Sequence, residues 1–282
     1  MRLPKRRKQE LDIAFEAYGV GLVVTFEDPQ LAERIEARLP PGHRRREPSE
    51  EMPRLALRQD SGEGFDVLAG GSPVTASAEL GVALRVLDAQ IRAEIAFRSR
   101  HAVFVHAGAV GHAGRAILLP GPSFSGKTTL VSALVRAGAS YYSDEFAVLD
   151  DDGRLHAYPK PLSIRAEGTR WGEDTTVEDL GGASGKEHLP VGTIVITRHR
   201  PGHSFEPEQR SSGQGAMALV ANAVPARDRP AQVMATARRA AEGSLVLEGD
   251  RGEADAAASE ILAWSGRIAG DESSPHLGQD AW

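Results

Sequence analysis

The sequence predicts an α/β fold preceded by a small α+β unit, and three observations point to it. The run Gly121-Pro122-Ser123-Phe124-Ser125-Gly126-Lys127-Thr128-Thr129 fits the pattern G-x-x-x-x-G-K-[ST]. Ala116-Ile117-Leu118-Leu119 stands before it as a short apolar run of the buried-strand kind. Leu130, Val131 and Leu134 follow at helical spacing, with Gly138 placed to end the helix at about Arg136.

Residues 18 to 98 read as the α+β unit. Val20 to Phe26 is a strand candidate. Asp28-Pro29 follows as helix cap and first helical residue, with Leu31, Ile35 and Leu39 on one face before Pro40-Pro41 stops the helix. The stretch from Gly42 to Pro53 is charged and proline-flanked, hence an exposed loop. Leu55-Ala56-Leu57 and Phe65-Asp66-Val67-Leu68 pair as strands across Gly62-Glu63-Gly64. From Ser77 to Ser99, the positions Leu80, Leu84, Leu87, Ile91 and Ile95 keep a helical period.

Residues 99 to 268 read as the core, and 269 to 282 as a polar tail. Ala102 to Val105 and Ala107 to Val110 are strand-like segments on either side of His106, and Gly111-His112-Ala113-Gly114 is a turn. Beyond the glycine-rich run, Ser140 to Leu149 is apolar and carries Asp144-Glu145 in its middle. Asp150-Asp151-Asp152-Gly153 is a turn with solvated acids. Val191 to Thr197 is a further buried strand. Helices around Ala216 to Val224 and Ala231 to Ala241, a strand at Leu245 to Leu247 and a helix from Glu253 to Trp264 complete the chain.

Composition narrows the function classes. The net charge of −6 argues against a dedicated nucleic-acid surface, and Lys5-Arg6-Arg7-Lys8 and Arg44-Arg45-Arg46 read as solvated surface. With no cysteine, disulfides, thiolate nucleophiles and Cys-ligated zinc are excluded. The basic start is followed by Gln9-Glu10-Leu11-Asp12 rather than a continuous apolar segment, so it does not read as a signal peptide, and no run reaches the length of a membrane span. A cytoplasmic location is the expectation.

The residue types of the glycine-rich run point to phosphate chemistry. Gly121 and Gly126 let the backbone turn so that consecutive N–H groups converge on phosphate oxygens. Lys127 reaches the β and γ phosphates, Thr128 offers a hydroxyl to Mg²⁺, and the helix aims its positive end at the triphosphate. Phosphoryl transfer also needs a carboxylate to orient or deprotonate the attacking oxygen. Asp144-Glu145 lies one β-α-β step beyond the loop, which returns a strand end beside the phosphates. Asp144 is then the base toward an acceptor hydroxyl, with Glu145 near the metal. The same pair could instead be a solvent-facing strand end, or a hydrolase element in which Glu145 activates water. His106, alone in an apolar segment, is either a hydrogen-bonded core residue or a group near the phosphates. Arg165, in Leu162-Ser163-Ile164-Arg165, could balance phosphate charge or form a surface ion pair, as could Arg198 and Arg200.

The segments HAGAV, RAILLPGPSFSGKTTL, RAGASYYSDEFAVL and PLSIR, in that order, resemble the HPr serine kinase/phosphorylase core. They resemble in particular the smaller HPr-kinase-related proteins that accompany peptide natural-product clusters such as those of lasso peptides. The similarity runs from about His101 to Arg165, fades into VGTIVITR and has an echo in SLVLEGD. It implies the P-loop variant shared with phosphoenolpyruvate carboxykinase, a mixed twisted sheet with helices. It also implies an aspartate base at Asp144, a functional His106 and ATP-dependent phosphorylation of a serine or other alcohol. There are departures: Asp144-Glu145 replaces the family's Asp-Asp, and Ser163 stands where an acid often precedes the Ile-Arg step, leaving Glu167 or Glu173 to supply that carboxylate. The family's C-terminal Gly-Arg-Asn segment is not recognisable, so HPr itself is not the expected substrate.

The expectation is therefore a kinase using ATP and Mg²⁺ on a hydroxyl of a peptide, protein or small molecule, with homo-oligomers possible and the N-terminal unit available for substrate or partner recognition. An NTPase switch and a nucleotide-sensing module without chemistry are the alternatives.

Overall fold

The computed structural model describes residues 10–122, 125–164 and 173–271. The chain divides into two compact units, Met1–His101 and Ala102–Trp282. Both are mixed α/β, each with a mixed sheet flanked by helices.

The first unit contains β1 (Leu11–Ala17), β2 (Val20–Phe26), α1 (Ala32–Glu36), β3 (Arg44–Arg45), β4 (Arg54–Gln59), β5 (Phe65–Ala69), β6 (Ser72–Ala78) and α2 (Leu80–Arg98). Its sheet has the order β3-β1-β2-β4-β5-β6, and only β2 and β4 pair in parallel. Strand β1 is absent from the sequence reading because Ile13, Ala14 and Phe15 are buried consecutively and give no alternation. It forms a hairpin with β2 across Tyr18 and Gly19, both at positive φ (51° and 75°). Asp28 caps as expected, accepting from Gln30 N at 2.9 Å, but the turn it opens is 3-10 before α1 begins. Arg44 and Arg45 are an edge strand rather than loop, and Arg45 and Arg46 pair with Glu36 and Glu16.

Helix α2 starts at Leu80, not Ser77. Ser77 sits at φ 50° inside the end of β6, its backbone N–H donating to Asp66 at 2.9 Å and its hydroxyl to Asp60 at 2.7 Å, which keeps it out of the helix. Leu84, Leu87, Ile91 and Ile95 then form the buried stripe that their spacing predicts.

The second unit contains β7 (Ala102–His112), β8 (Arg115–Pro120), α3 (Lys127–Arg136), β9 (Ser140–Ser143), β10 (Phe146–Asp150), β11 (Leu155–His156), β12 (Leu162–Ile164), β13 (Glu173–Thr175), β14 (Val191–His199), β15 (Glu208–Arg210), α4 (Ser212–Ala221), α5 (Pro230–Ala241), β16 (Leu245–Arg251) and α6 (Ala254–Asp271). The main sheet runs β11-β10-β7-β8-β14-β16-β15, with β9 also on β7. Strands β8, β14 and β16 are mutually parallel. One face packs Val103, Val105, Leu118 and Ile194 under α4 and α5. The other packs Val110, Ile117, Leu119 and Val195 under α3 and α6.

Two details place the site. The segments flanking His106 are one continuous strand, β7. Strands β9 and β10 then lie along the same side of β7, Ser140 opposite Gly111 and Asp150 opposite Ala102, with Asp144-Glu145 in the interruption between them. Because β7 is antiparallel to both neighbours, β9 runs in the direction of β8 with β7 in between. The expected β-α-β step thus spans one intervening strand, and its carboxyl end still returns to the edge from which the glycine-rich loop departs. Helix α6 continues to Asp271, past both Trp264 and residue 268. No helix among the described residues is long and apolar enough to cross a membrane.

Candidate nucleotide site

Strand β8 ends at Pro120, and Gly121 N–H donates to His106 O at 3.2 Å, fixing the start of the loop against β7. The loop closes on Gly126, the N-cap of α3, at φ 82° and ψ 19°. That left-handed conformation suits glycine, and a Cβ there would come within 2.7 Å of Arg251 Nη2. The N-terminus of a ten-residue helix then faces the loop, and its unpaired N–H groups and dipole attract an anion.

Lys127 lies on this turn and donates to Gly121 O at 2.8 Å and Pro122 O at 2.6 Å. Burial pulls its ammonium below the ordinary lysine range, against the opposing fields of Asp144 and Glu145. The Thr128 hydroxyl donates to Asp144 Oδ2 at 2.9 Å. Ser143 Oγ accepts the N–H groups of Glu145 (3.2 Å) and Phe146 (3.0 Å), a serine turn that makes the interruption and turns Asp144 toward α3. Tyr141 Oη lies 3.1 Å from Asp144 Oδ1 and 2.8 Å from Lys160 O. Burial, aided by the Asp144 charge, pushes this phenol above its ordinary range, so it stays a proton donor.

His106 belongs to the same neighbourhood. Its ring is 4.8 Å from that of Phe146, tilted 37°. Burial, then the Lys127 charge, lowers its pKa from the ordinary imidazole value, so the neutral form is favoured.

Arg251 is the residue that sequence reasoning missed. It is 3% exposed, donates from Nη2 to Gly126 O at 3.0 Å and from Nη1 to Gly252 O at 3.1 Å, and its buried Nε–H has no partner among the described residues. A small cavity between Ser125, Lys127, Thr197 and Arg251 opens beside it. The signal in the sequence is an arginine at the end of β16, a strand running in the same direction as the one that feeds the loop and ending at the same sheet edge.

Other expectations fall elsewhere. Ser123, Phe124, Arg165 and Glu167 lie outside the described residues. Thr129 is exposed on the first turn of α3. Ser163 and Glu173 belong to a separate two-stranded sheet, β12 with β13. Arg200 bonds Asp250 at 2.9 Å, the surface ion pair of the two alternatives. Asp150 is not a solvated acid, because its side chain accepts the N–H groups of Asp152 and Arg154 and bonds His156.

No family model matches the chain, and a search of curated proteins finds no match. The arrangement therefore speaks for itself: an ammonium, a guanidinium and a helix N-terminus for an anion, beside a hydroxyl–carboxylate pair suited to a hard cation.

Proposed function

We propose that this chain is an ATP- and Mg²⁺-dependent kinase of the HPr-kinase-like type, transferring the γ-phosphoryl group to a hydroxyl of a peptide, protein or small molecule. The observation that carries the nucleotide and Mg²⁺ part of the reading is the hydrogen bond from Thr128 Oγ1 to Asp144 Oδ2 beside Lys127, and the ordered sequence resemblance favours a kinase. A threonine whose proton is committed to a carboxylate offers its oxygen lone pairs to a cation, so the pair fits Mg²⁺. The buried Nε–H of Arg251, without a partner among the described residues, and the glycine cradle at Gly126 fit an anion. The ordered resemblance of HAGAV, the glycine-rich run, the Asp-acid pair and the Ile-Arg step supports the mixed-sheet core shared with phosphoenolpyruvate carboxykinase.

ATP would supply the phosphoryl group, and Mg²⁺ held by Thr128 with Glu145 would neutralise its charge. Lys127, now bonded to loop carbonyls, exchanges those neutral acceptors for charged phosphate oxygens, which make stronger hydrogen bonds. Arg251 holds the loop through Gly126 O. Tyr141 and Thr128 fix the two oxygens of Asp144, the carboxylate assigned to the acceptor's proton. Glu145, on the metal side in this reading, is the alternative base.

The Thr128–Asp144 bond would serve a hydrolase equally, which makes an NTPase switch the second reading, with Glu145 activating water. The deciding experiment offers γ-labelled ATP, Mg²⁺ and hydroxyl-bearing peptides and metabolites encoded beside the gene, with free phosphate counted in parallel. Label on an acceptor, lost in Asp144→Asn, establishes the kinase. Free phosphate alone moves the function to the NTPase, and bound nucleotide with neither product moves it to a sensing module.

A further inference from the structure

Asp150, His156 and His188 gather at the far end of the β10–β11 pair, and their ligand atoms all lie within 4.8 Å of one another. Asp144 precedes one end of β10 and Asp150 ends the other, about 13 Å from Phe146 at the rise of a β-strand, so the cluster is distinct from the nucleotide site. We propose that these three residues bind one divalent transition metal of the Zn²⁺ class, through two imidazoles and a carboxylate, with a fourth position left to water.

The donor set selects the metal class. Imidazole with carboxylate suits Zn²⁺ and its neighbours, whereas Mg²⁺ and Ca²⁺ prefer all-oxygen shells. The absence of cysteine from the chain removes thiolate-ligated zinc and leaves this His/carboxylate set untouched.

The scaffold holds the ligands by backbone pairing. His156 lies opposite Val148 on β10, and Asp150 is two residues further along that strand. Leu155 and Leu189 exchange N–H···O bonds of 2.8 and 3.0 Å, which sets His188 next to His156, and Arg154 donates to His188 O at 2.7 Å. Asp150 Oδ1 accepts two backbone N–H groups, at 3.0 and 2.9 Å, which orients the carboxylate and leaves Oδ2 toward His156 Nε2 at 2.8 Å. Carboxylates fixed in this way are the kind that hold a metal with good geometry.

The His156 and His188 rings stack at 3.5 Å between centroids, 30° apart, which keeps the two imidazoles side by side next to Asp150. The single carboxylate attracts a dication, and the Arg154 guanidinium, engaged with the His188 carbonyl, opposes it in part. Side-chain exposures of 27% for His156 and 24% for Asp150 leave a path from solvent. Tetrahedral zinc separates its ligand atoms by roughly 3.3 Å. His188, the exposed member, closes the difference by rotating about its side-chain bonds. A bound metal would clamp the segment before β14 to the β10–β11 turn.

The test uses the full chain without a histidine tag, in excess Mg²⁺ and without ATP, whose triphosphate would itself bind Zn²⁺ and Co²⁺. Titration of Zn²⁺ against a chromophoric chelator should give one ion per chain. Co²⁺ in its place should give the intense visible absorption of a tetrahedral site. His188→Gln and Asp150→Asn should each weaken Zn²⁺ at least ~10-fold, and Lys127→Ala should leave it unchanged. Asp150→Asn retains the side-chain oxygen that accepts the turn's N–H groups, and His188 is exposed, so both variants are expected to fold; unfolding curves without metal check this. Absence of one-to-one Zn²⁺ and of the Co²⁺ band, or affinity unchanged in both folded variants, overturns the proposal.

Discussion

Thr128 Oγ1 donates to Asp144 Oδ2 at 2.9 Å, joining the first turn of α3 to the interruption between β9 and β10. The bond turns two residues 16 apart in sequence into one unit facing the glycine-rich loop. Thr128→Val should therefore weaken Mg²⁺-dependent nucleotide binding while leaving metal-free binding within a few fold. Fluorescent-nucleotide titration with and without Mg²⁺ measures the difference, and equal losses in both would detach Thr128 from the metal.

Asp144→Asn should lower acceptor phosphorylation by about 100- to 10,000-fold, the span of general-base contributions, with nucleotide still bound. Glu145→Gln separates the two readings. A larger loss of free-phosphate release than of transfer in Glu145→Gln would favour the NTPase.

Lys127→Ala should reduce kcat by about 100- to 1,000-fold, the usual consequence of losing one charged donor at a developing anion. Arg251→Lys keeps the charge but cannot bond Gly126 O and Gly252 O together, so it should weaken nucleotide affinity as well as stability. Isothermal titration alongside thermal unfolding separates the two effects.

His106 should make the folded state acid-sensitive. Burial and Lys127 hold its folded pKa below the ordinary 6.5, so the unfolded chain binds its proton more readily. Stability present above about 6.5 is lost as the pH falls through the lower, folded value. Denaturant unfolding from neutral to mildly acidic pH should show that slope, and His106→Gln should flatten it. A variant with the parent's slope would show that another group causes the loss.

Gly108→Ala tests the packing of α3 on the sheet. A Cβ at Gly108 would meet Val131 Cγ2 at 2.6 Å and Leu119 Cδ1 at 3.3 Å. The overpacking should cost about 1–3 kcal/mol and displace the glycine-rich loop, read as a lower denaturation midpoint together with weaker nucleotide binding. Unchanged stability would mean that α3 shifts freely, contrary to its buried face of Leu130, Val131 and Leu134.

The local chemistry was legible in the chain itself. Strand, glycine turn and helix at residues 116–138 follow from short-range rules: apolar runs, a glycine able to reach the left-handed region at Gly126 and Gly138, and helical spacing between them. The α2 stripe was equally plain. What escaped were strands without alternation, such as β1, and the solvation of Asp150, which depends on His156 across a turn. Only the tertiary structure decided which residues meet. Arg251 reaches Gly126 across 125 residues because β8, β14 and β16 are parallel and end at one edge, and Asp144 faces Thr128 because β9 and β10 share one side of β7. A sequence pattern records local conformational preference, whereas these meetings depend on strand order and register, set by how the whole sheet buries its two faces.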